Sequence, residues 1–279
     1  MFFYAEPLRT SAKHASIDFY YHIKEMMRMS EALASLKSFA KPYLPKKLLQ
    51  LWQRRRYEAE QAHYKDKPLN EVFEEIYDQH TWDREGTGRY RSGPGSSANV
   101  TQRYEAFVVD YILRHPDIRK LVDIGCGDFQ VSGRILAALA AQGRDIDYVG
   151  CDIAANVVAY NTSTFGRSGV AFKVLDVTRE PPPAGDIVTV REVLQHLSNA
   201  HISAALGNLA TRFERAIITE SLTPDVVVPN VDIASGYRTR DGYQSGVMVD
   251  MPPFSRAVIE EHVTTPSPLQ RLRTTVIAL

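Results

Sequence analysis

The chain has 279 residues, with 33 Lys and Arg against 33 Asp and Glu, 44% hydrophobic residues and 10% aromatics. That composition supports a sizeable buried core and excludes a disordered or fibrous chain, and the zero formal charge excludes a protein whose whole surface is a nucleic-acid footprint. No stretch approaches the roughly 18 unbroken apolar residues of a membrane span, and MFFYAEPLRTSAKH lacks a signal peptide's basic start and apolar run, so a cytoplasmic protein is expected.

The neutrality is unevenly spread. Residues 1–67 hold 13 Lys and Arg against 7 Asp and Glu, which leaves 20 against 26 for residues 68–279. The first part reads as a basic helical extension, with helical composition over 18–39. Its charge peaks at 41–56, KPYLPKKLLQLWQRRR, where leucines and a tryptophan alternate with basic residues. Such a segment suits an anionic membrane surface or an acidic protein partner, or an ordinary amphipathic helix with a solvated basic face. Residues 68–279 are expected to form the main domain.

LNEVFEEIY (69–77) places Leu69, Val72, Phe73 and Ile76 on one helical face. TWDREGTGRYRSGPGSSAN (81–99) is too rich in Gly, Ser, Pro and Arg for a regular element and is read as a loop. Helical periodicity resumes over 101–113. From Leu121 onward, short β-branched runs at 121–125, 147–153, 171–176, 186–192 and 215–221 alternate with helical stretches at 130–141, 154–161 and 198–212, and RTTVIAL (273–279) adds a last strand. This is the pattern of βαβ units, so the fold class is α/β: a Rossmann-like, doubly wound, mainly parallel sheet with a helical N-terminal extension.

Chemistry collects at the strand ends. VDIGCGDF (122–129) runs a strand into a turn with Gly125 and Gly127, where the absence of Cβ lets a backbone approach a ligand closely. A dinucleotide fingerprint would need a third glycine at 130, and the chain has Gln130 there. The next strand ends at Asp152, sited to accept both hydroxyls of a ribose, and the one after it at Asp176. Each Asp alone is as readily a turn former or helix cap; three successive ends carrying Gly-x-Gly, Asp and Asp point to a nucleoside-like ligand. The two cysteines, Cys126 and Cys151, form no CxxC or zinc spacing and are expected to be reduced and buried, and no metal site is expected.

With EVLQHL after the fourth strand, these residues resemble the class I S-adenosylmethionine-dependent methyltransferases over roughly 118–221. The resemblance implies S-adenosylmethionine as cofactor. Asp123, Gly125 and Gly127 would shape the pocket for its methionine part, Asp152 would hold the ribose, Ile153 would lie against the adenine, Asp176 with Val177 would meet the adenine edge, and Arg191 would line the floor. Many members carry a third glycine where this chain has Phe129. The SGPGSS loop (92–97), Trp82 and DIVTVREVLQHLSN (186–199) resemble a glycan-associated subset, which implies a carbohydrate or other small polar acceptor. Arg91, Ser92 and Gly93, with Ser96, would bind the cofactor's carboxylate.

His196 is the candidate general base, since an imidazole can take the proton of an acceptor hydroxyl. Glu192, the second catalytic candidate, and Glu220 are weaker candidates for orienting the imidazole or holding a hydroxyl, and both could equally be solvated or paired. The polar segment 229–254 reads as a substrate lid, with Asn230, Asp232, Tyr237, Arg238 and Tyr243 available to a hydroxyl-rich ligand. The expected function is O-methylation. The alternatives are a protein or lipid-linked acceptor, or a cofactor-binding module without catalysis that acts in assembly.

Overall fold

The computed structural model describes residues 64, 67–82, 90–223, 226–267 and 270–279. All of these belong to one compact unit, Tyr57–Leu279. The expected basic extension lies outside the described residues apart from Tyr64 and Lys67, as do the segments 18–39 and 41–56 and most of the first half of the 81–99 loop.

Seven strands form one sheet: β1 (Lys120–Ile124), β2 (Asp147–Asp152), β3 (Val170–Val174), β4 (Ile187–Arg191), β5 (Arg215–Leu222), β6 (Val258–Ser267) and β7 (Gln270–Ala278). Their order is β3-β2-β1-β4-β5-β7-β6. The first five run parallel, and β7 pairs antiparallel with both β5 and β6. Strand order reverses at β1, which has β2 on one side and β4 on the other, so a crevice opens at the carboxyl ends of these three strands. The fold is the doubly wound, mainly parallel α/β sheet expected from the sequence.

Helices α1 (Leu69–Asp78), α2 (Ala98–Arg114), α3 (Gln130–Ala140), α4 (Ala155–Phe165) and α5 (Asn199–Ala210) cover the sheet. Side chains on a strand alternate between faces, and β1 shows it: Val122 and Ile124 join the core beneath α1 and α5, whereas Leu121 joins a second core with Tyr104, Val108, Ile112, Ile135 and Leu139 from α2 and α3. Asp123 faces the second layer as a buried carboxylate. It is accommodated because it accepts hydrogen bonds from Ser132 Oγ at 2.6 Å, Thr189 Oγ1 at 2.8 Å and Tyr148 OH at 2.9 Å, one each from α3, β4 and β2.

Two expectations are corrected. The 81–99 loop is shorter than its composition suggests, because Pro94–Ser96 form a 3-10 turn and α2 begins at Ala98. Strand β6 was unanticipated. It is a sheet edge with Val258, Ile259 and Val263 exposed, so no clean hydrophobic alternation marks it. Among the described residues no helix is long and apolar enough to cross a membrane, and no group of three His, Cys, Asp or Glu could hold a metal ion.

Phe129 precedes α3 with φ of 63°, the left-handed conformation that explains why glycine suits this position. A non-glycine residue there costs about 1–2 kcal/mol. The ring offsets the cost by packing in tilted and edge-on contacts, 5.1–5.2 Å centroid to centroid, against Tyr148, Phe165 and Phe172. It therefore belongs to the core under α3 and does not bound the crevice. Phe129→Ala, which empties that site while keeping the awkward backbone, is expected to lower unfolding free energy by about 3–5 kcal/mol in urea titration.

Candidate functional site

The crevice at the switch point is a cavity of about 410 Å³, a volume typical of small-molecule sites. Its wall takes residues from the ends of four parallel strands: Gly125 and Asp128 after β1, Asp152 and Ile153 from β2, Asp176 and Val177 after β3, Arg191 and Glu192 from β4. Phe73, Tyr77 and Trp82 close one side, and Tyr237, Arg238 and Thr239 reach in from the segment after β5.

The glycine turn owes its shape to neighbouring protein. Gly125 and Gly127 have φ of 69° and 51°. A Cβ on Gly125 would stand 2.2 Å from Val193 Cγ2, and one on Gly127 would stand 2.1 Å from Ser92 Oγ. The close approach that demands glycine is thus to the β4 turn and to the SGPGS loop, and Gly127 itself does not line the cavity. Ser92 latches that loop in place: its Oγ accepts from Asp128 N at 3.0 Å and its own N–H donates to Asp128 Oδ2 at 3.3 Å.

Asp152 joins the β1 and β2 turns. Its Oδ2 accepts from Gly127 N and its Oδ1 from Ala154 N, both at 3.0 Å. Each oxygen keeps lone-pair capacity for a ligand hydroxyl. Burial outweighs the two N–H bonds and pushes its pKa up to about 6. Burial also raises Asp128 and Glu192 above the ordinary carboxylate range.

Arg191 supplies positive charge to the floor. Its Nη2 donates to Gly95 O at 2.7 Å and pairs with Glu192 Oε2 at 2.8 Å, and the guanidinium lies over Tyr104. Its buried Nε has no hydrogen-bond partner in the protein. Glu192, held at φ of 53°, turns its carboxylate to Arg191 and Gln195. Glu192 is thus paired, one of the outcomes expected for it, with its carboxylate on Arg191. A Cβ at residue 95 would stand 3.0 Å from Glu192 Oε2, so a larger residue there would push the carboxylate aside by a few tenths of an ångström.

His196 ends a short 3-10 turn, Leu194–His196, after β4. The half-buried ring lies 5.4 Å from Trp82, centroid to centroid, and its buried Nδ1 has no hydrogen-bond partner in the protein. Burial drives its pKa down to about 4, so the imidazole is uncharged at neutral pH.

Comparison with known proteins now bears on the same strand ends. Residues 122–213 match the family model of a methyltransferase domain. No curated protein sequence matches the chain. Among solved structures, magnesium protoporphyrin IX methyltransferase from Synechocystis PCC 6803 with bound S-adenosylmethionine is 14% identical, with a TM-score of 0.50 over 76% of this chain and 98% of that one. It shares the fold. The human N-acetylserotonin methyltransferase complex with S-adenosylmethionine is 13% identical, at a TM-score of 0.45 over 78% of this chain and 62% of that one. The citrinin polyketide synthase CMeT domain is 14% identical, at a TM-score of 0.46 over 62% of this chain, which spans about half (51%) of that structure.

Within the matched residues 122–213 and their flanks, the structure brings Ser92, Gly93, Asp123, Gly125, Asp152, Ile153, Asp176, Val177, Arg191, Glu192, His196, Tyr237 and Arg238 to one cavity. Arg91 does not line it. Three residues of the expected lid are also elsewhere. Asn230 is buried with its amide bonded to the backbone of Met248, Met251 and Pro252, Asp232 accepts from Asn199 N and Ile233 N, and Tyr243 is exposed outside the wall. Short polar residues in a turn-rich segment satisfy backbone groups as readily as ligands. Sequence reasoning missed Asp128 and Gln195 in the wall, although a carboxylate directly after Gly-Cys-Gly was a usable signal.

Glu220, near the end of β5, was expected to orient His196 or hold a hydroxyl, or else to be solvated or paired. It is 2% exposed and accepts from Leu194 N at 3.0 Å and Gln195 N at 2.9 Å. Burial nevertheless pushes its pKa up to about 8, against about 4.3 in an unfolded chain. Between those values the folded state binds the proton more tightly, so this group's contribution to stability falls as pH rises from about 4 to about 8. Urea titrations at pH 5 and pH 8 should show Glu220→Gln losing less stability across the interval than the wild type.

Proposed function

We propose that the chain is an S-adenosylmethionine-dependent methyltransferase acting on a hydroxyl of a carbohydrate or other small polar acceptor, with His196 as general base. The observation that carries this reading is the convergence of four strand ends on one cavity inside the matched domain. The residues suit the cofactor: Asp152 has lone pairs for ribose hydroxyls, Ile153 and Val177 offer an apolar slot for a flat base beside Asp176, and the unpartnered Arg191 Nε suits a carboxylate. The cofactor supplies a methyl group on positively charged sulfur.

The rest falls to the protein. Phe73, Trp82 and Tyr237 provide aromatic faces for the acceptor, and they exclude water from the place where Asp152 and His196 meet the same cavity. His196, uncharged at neutral pH, accepts the proton that the acceptor hydroxyl gives up. The burial that keeps it uncharged also makes it a weak base, so alignment of acceptor and cofactor carries more of the rate than proton abstraction.

Calorimetry with S-adenosylmethionine, S-adenosylhomocysteine and NAD is the direct check. Both sulfur compounds should bind and NAD should not, and Asp152→Ala should weaken binding at least about tenfold, or about 1.4 kcal/mol. Against a panel of hydroxyl acceptors, His196→Ala should keep cofactor affinity and lose about 10²-fold in turnover. Absence of S-adenosylmethionine binding overturns the function, whereas undiminished turnover in His196→Ala overturns the base alone.

A further inference from the structure

The segment 229–254 does something its composition does not announce. Arg240 is 1% exposed, and all five N–H donors of its guanidinium are used. Nε donates to Val231 O at 2.8 Å within its own segment. Nη1 reaches Leu194 O at 3.4 Å and Gln195 O at 3.1 Å, and Nη2 reaches Leu197 O at 2.7 Å and Asn199 Oδ1 at 2.9 Å. The remaining carbonyl of that turn, His196 O, accepts from Gly236 N at 2.9 Å. Every carbonyl from Leu194 to Leu197 therefore receives a donor from residues 236–240.

The amide side of the turn is held from the opposite direction. Glu220 takes the N–H groups of Leu194 and Gln195. Further along, Ser198 N donates to Ser235 Oγ, and Asn199 N to Asp232 Oδ1. A buried backbone turn must place its polar groups somewhere, and this one places them on a carboxylate from β5 and a guanidinium from the segment beyond it. Tyr237, Arg238 and Thr239, which line the cavity, lie between Gly236 and Arg240 and are fixed by the same anchors.

We infer that Arg240 is a positioning residue: it locks the His196 turn and the cavity-facing residues 237–239 into one unit, so that the acceptor side of the site is assembled by the segment after β5. The inference rests on the proposed methyltransferase reading for its functional meaning and on hydrogen-bond geometry for its substance. Arg240 and Arg238 from the segment, Glu220 from β5 and Glu192 after β4 are the charged groups around the turn, with Tyr237 beside them. Desolvation is the largest effect on the imidazole, so hydration by a looser turn and loss of the Arg240 charge raise its pKa, opposed by the loss of the backbone hydrogen bonds from residues 236–238 that hold it up.

The test uses the full chain with isotopically labelled histidine and no cofactor. The His196 resonances of the wild type should stay those of a neutral ring down to about pH 4. In Arg240→Gln the midpoint should rise by about one pH unit or more, a tenfold change in proton affinity, and Arg240→Lys should restore part of the shift, since it returns the charge without the fork. Calorimetric affinity for S-adenosylmethionine, which depends on the other half of the cavity, should change less than about threefold in both variants, within about 0.7 kcal/mol. An unmoved His196 midpoint in a folded Arg240→Gln overturns the positioning role even if cofactor binding is normal. Should that variant fail to fold, Asn199→Ala, which removes one acceptor of Arg240 and one bond to Asn230 O, should show a smaller shift in the same direction, and no shift there overturns the inference. Lack of S-adenosylmethionine binding in the wild type would instead count against the methyltransferase reading and leave the titration result standing.

Discussion

The Asp152 carboxylate is the constraint on which the cavity depends. Two parallel strands can end side by side without forming a site, because their turns are free to diverge. Here one buried carboxylate takes Gly127 N from the β1 turn and Ala154 N from its own, while Gly125 N and Cys126 N both donate to Cys151 O. The two turns become one rigid rim. Gly127 then requires Ser92 close by, Ser92 requires Asp128, and the SGPGS loop follows into place. Arg191 and Arg134 complete the arrangement by donating to the carbonyls of Gly95 and Ser96.

The electrostatics of that rim are deliberately costly. Burial raises the pKa of Asp128, Asp152 and Glu192; hydrogen bonds offset it at the two aspartates, and the Arg191 guanidinium offsets it at Glu192. A polar network of this kind is stabilising only when its members are satisfied, and its unmet capacity faces inward: lone pairs on Asp152, and Nε of Arg191. Such a site favours a ligand that is itself charged at both signs.

What could be read from residues alone follows from what sequence encodes. The strands and helices of the doubly wound half were legible because buried parallel strands are short apolar runs and their turns carry Gly and Asp. Asp152, Asp176, Arg191 and His196 were legible because their position after a strand places them in the crevice. Strand β6 was not, because an edge strand exposed on both sides has no alternation to detect. Asn230 and Asp232 misled because a polar side chain that caps a backbone looks the same in one dimension as one that meets a ligand. Arg240 was invisible for a related reason: its partners are main-chain carbonyls, which every residue has. Nothing in YRTRDGY separates it from Arg238, which faces the cavity.

The bonding between residues 194–201 and 230–240 also bears on how such an enzyme changes partners over evolutionary time. Loops beyond the last parallel strand are natural places for divergence, since connecting segments tolerate change better than the elements they join. In this chain, however, the loop cannot be exchanged alone. Its donors are matched to the carbonyls of Leu194 to Leu197, and its Ser235 and Asp232 side chains accept from the N–H groups of Ser198 and Asn199, so a transplanted segment would leave buried groups orphaned unless the turn travelled with it. The turn and the segment therefore form a discontinuous pair, and drift in either half is held in check by the other.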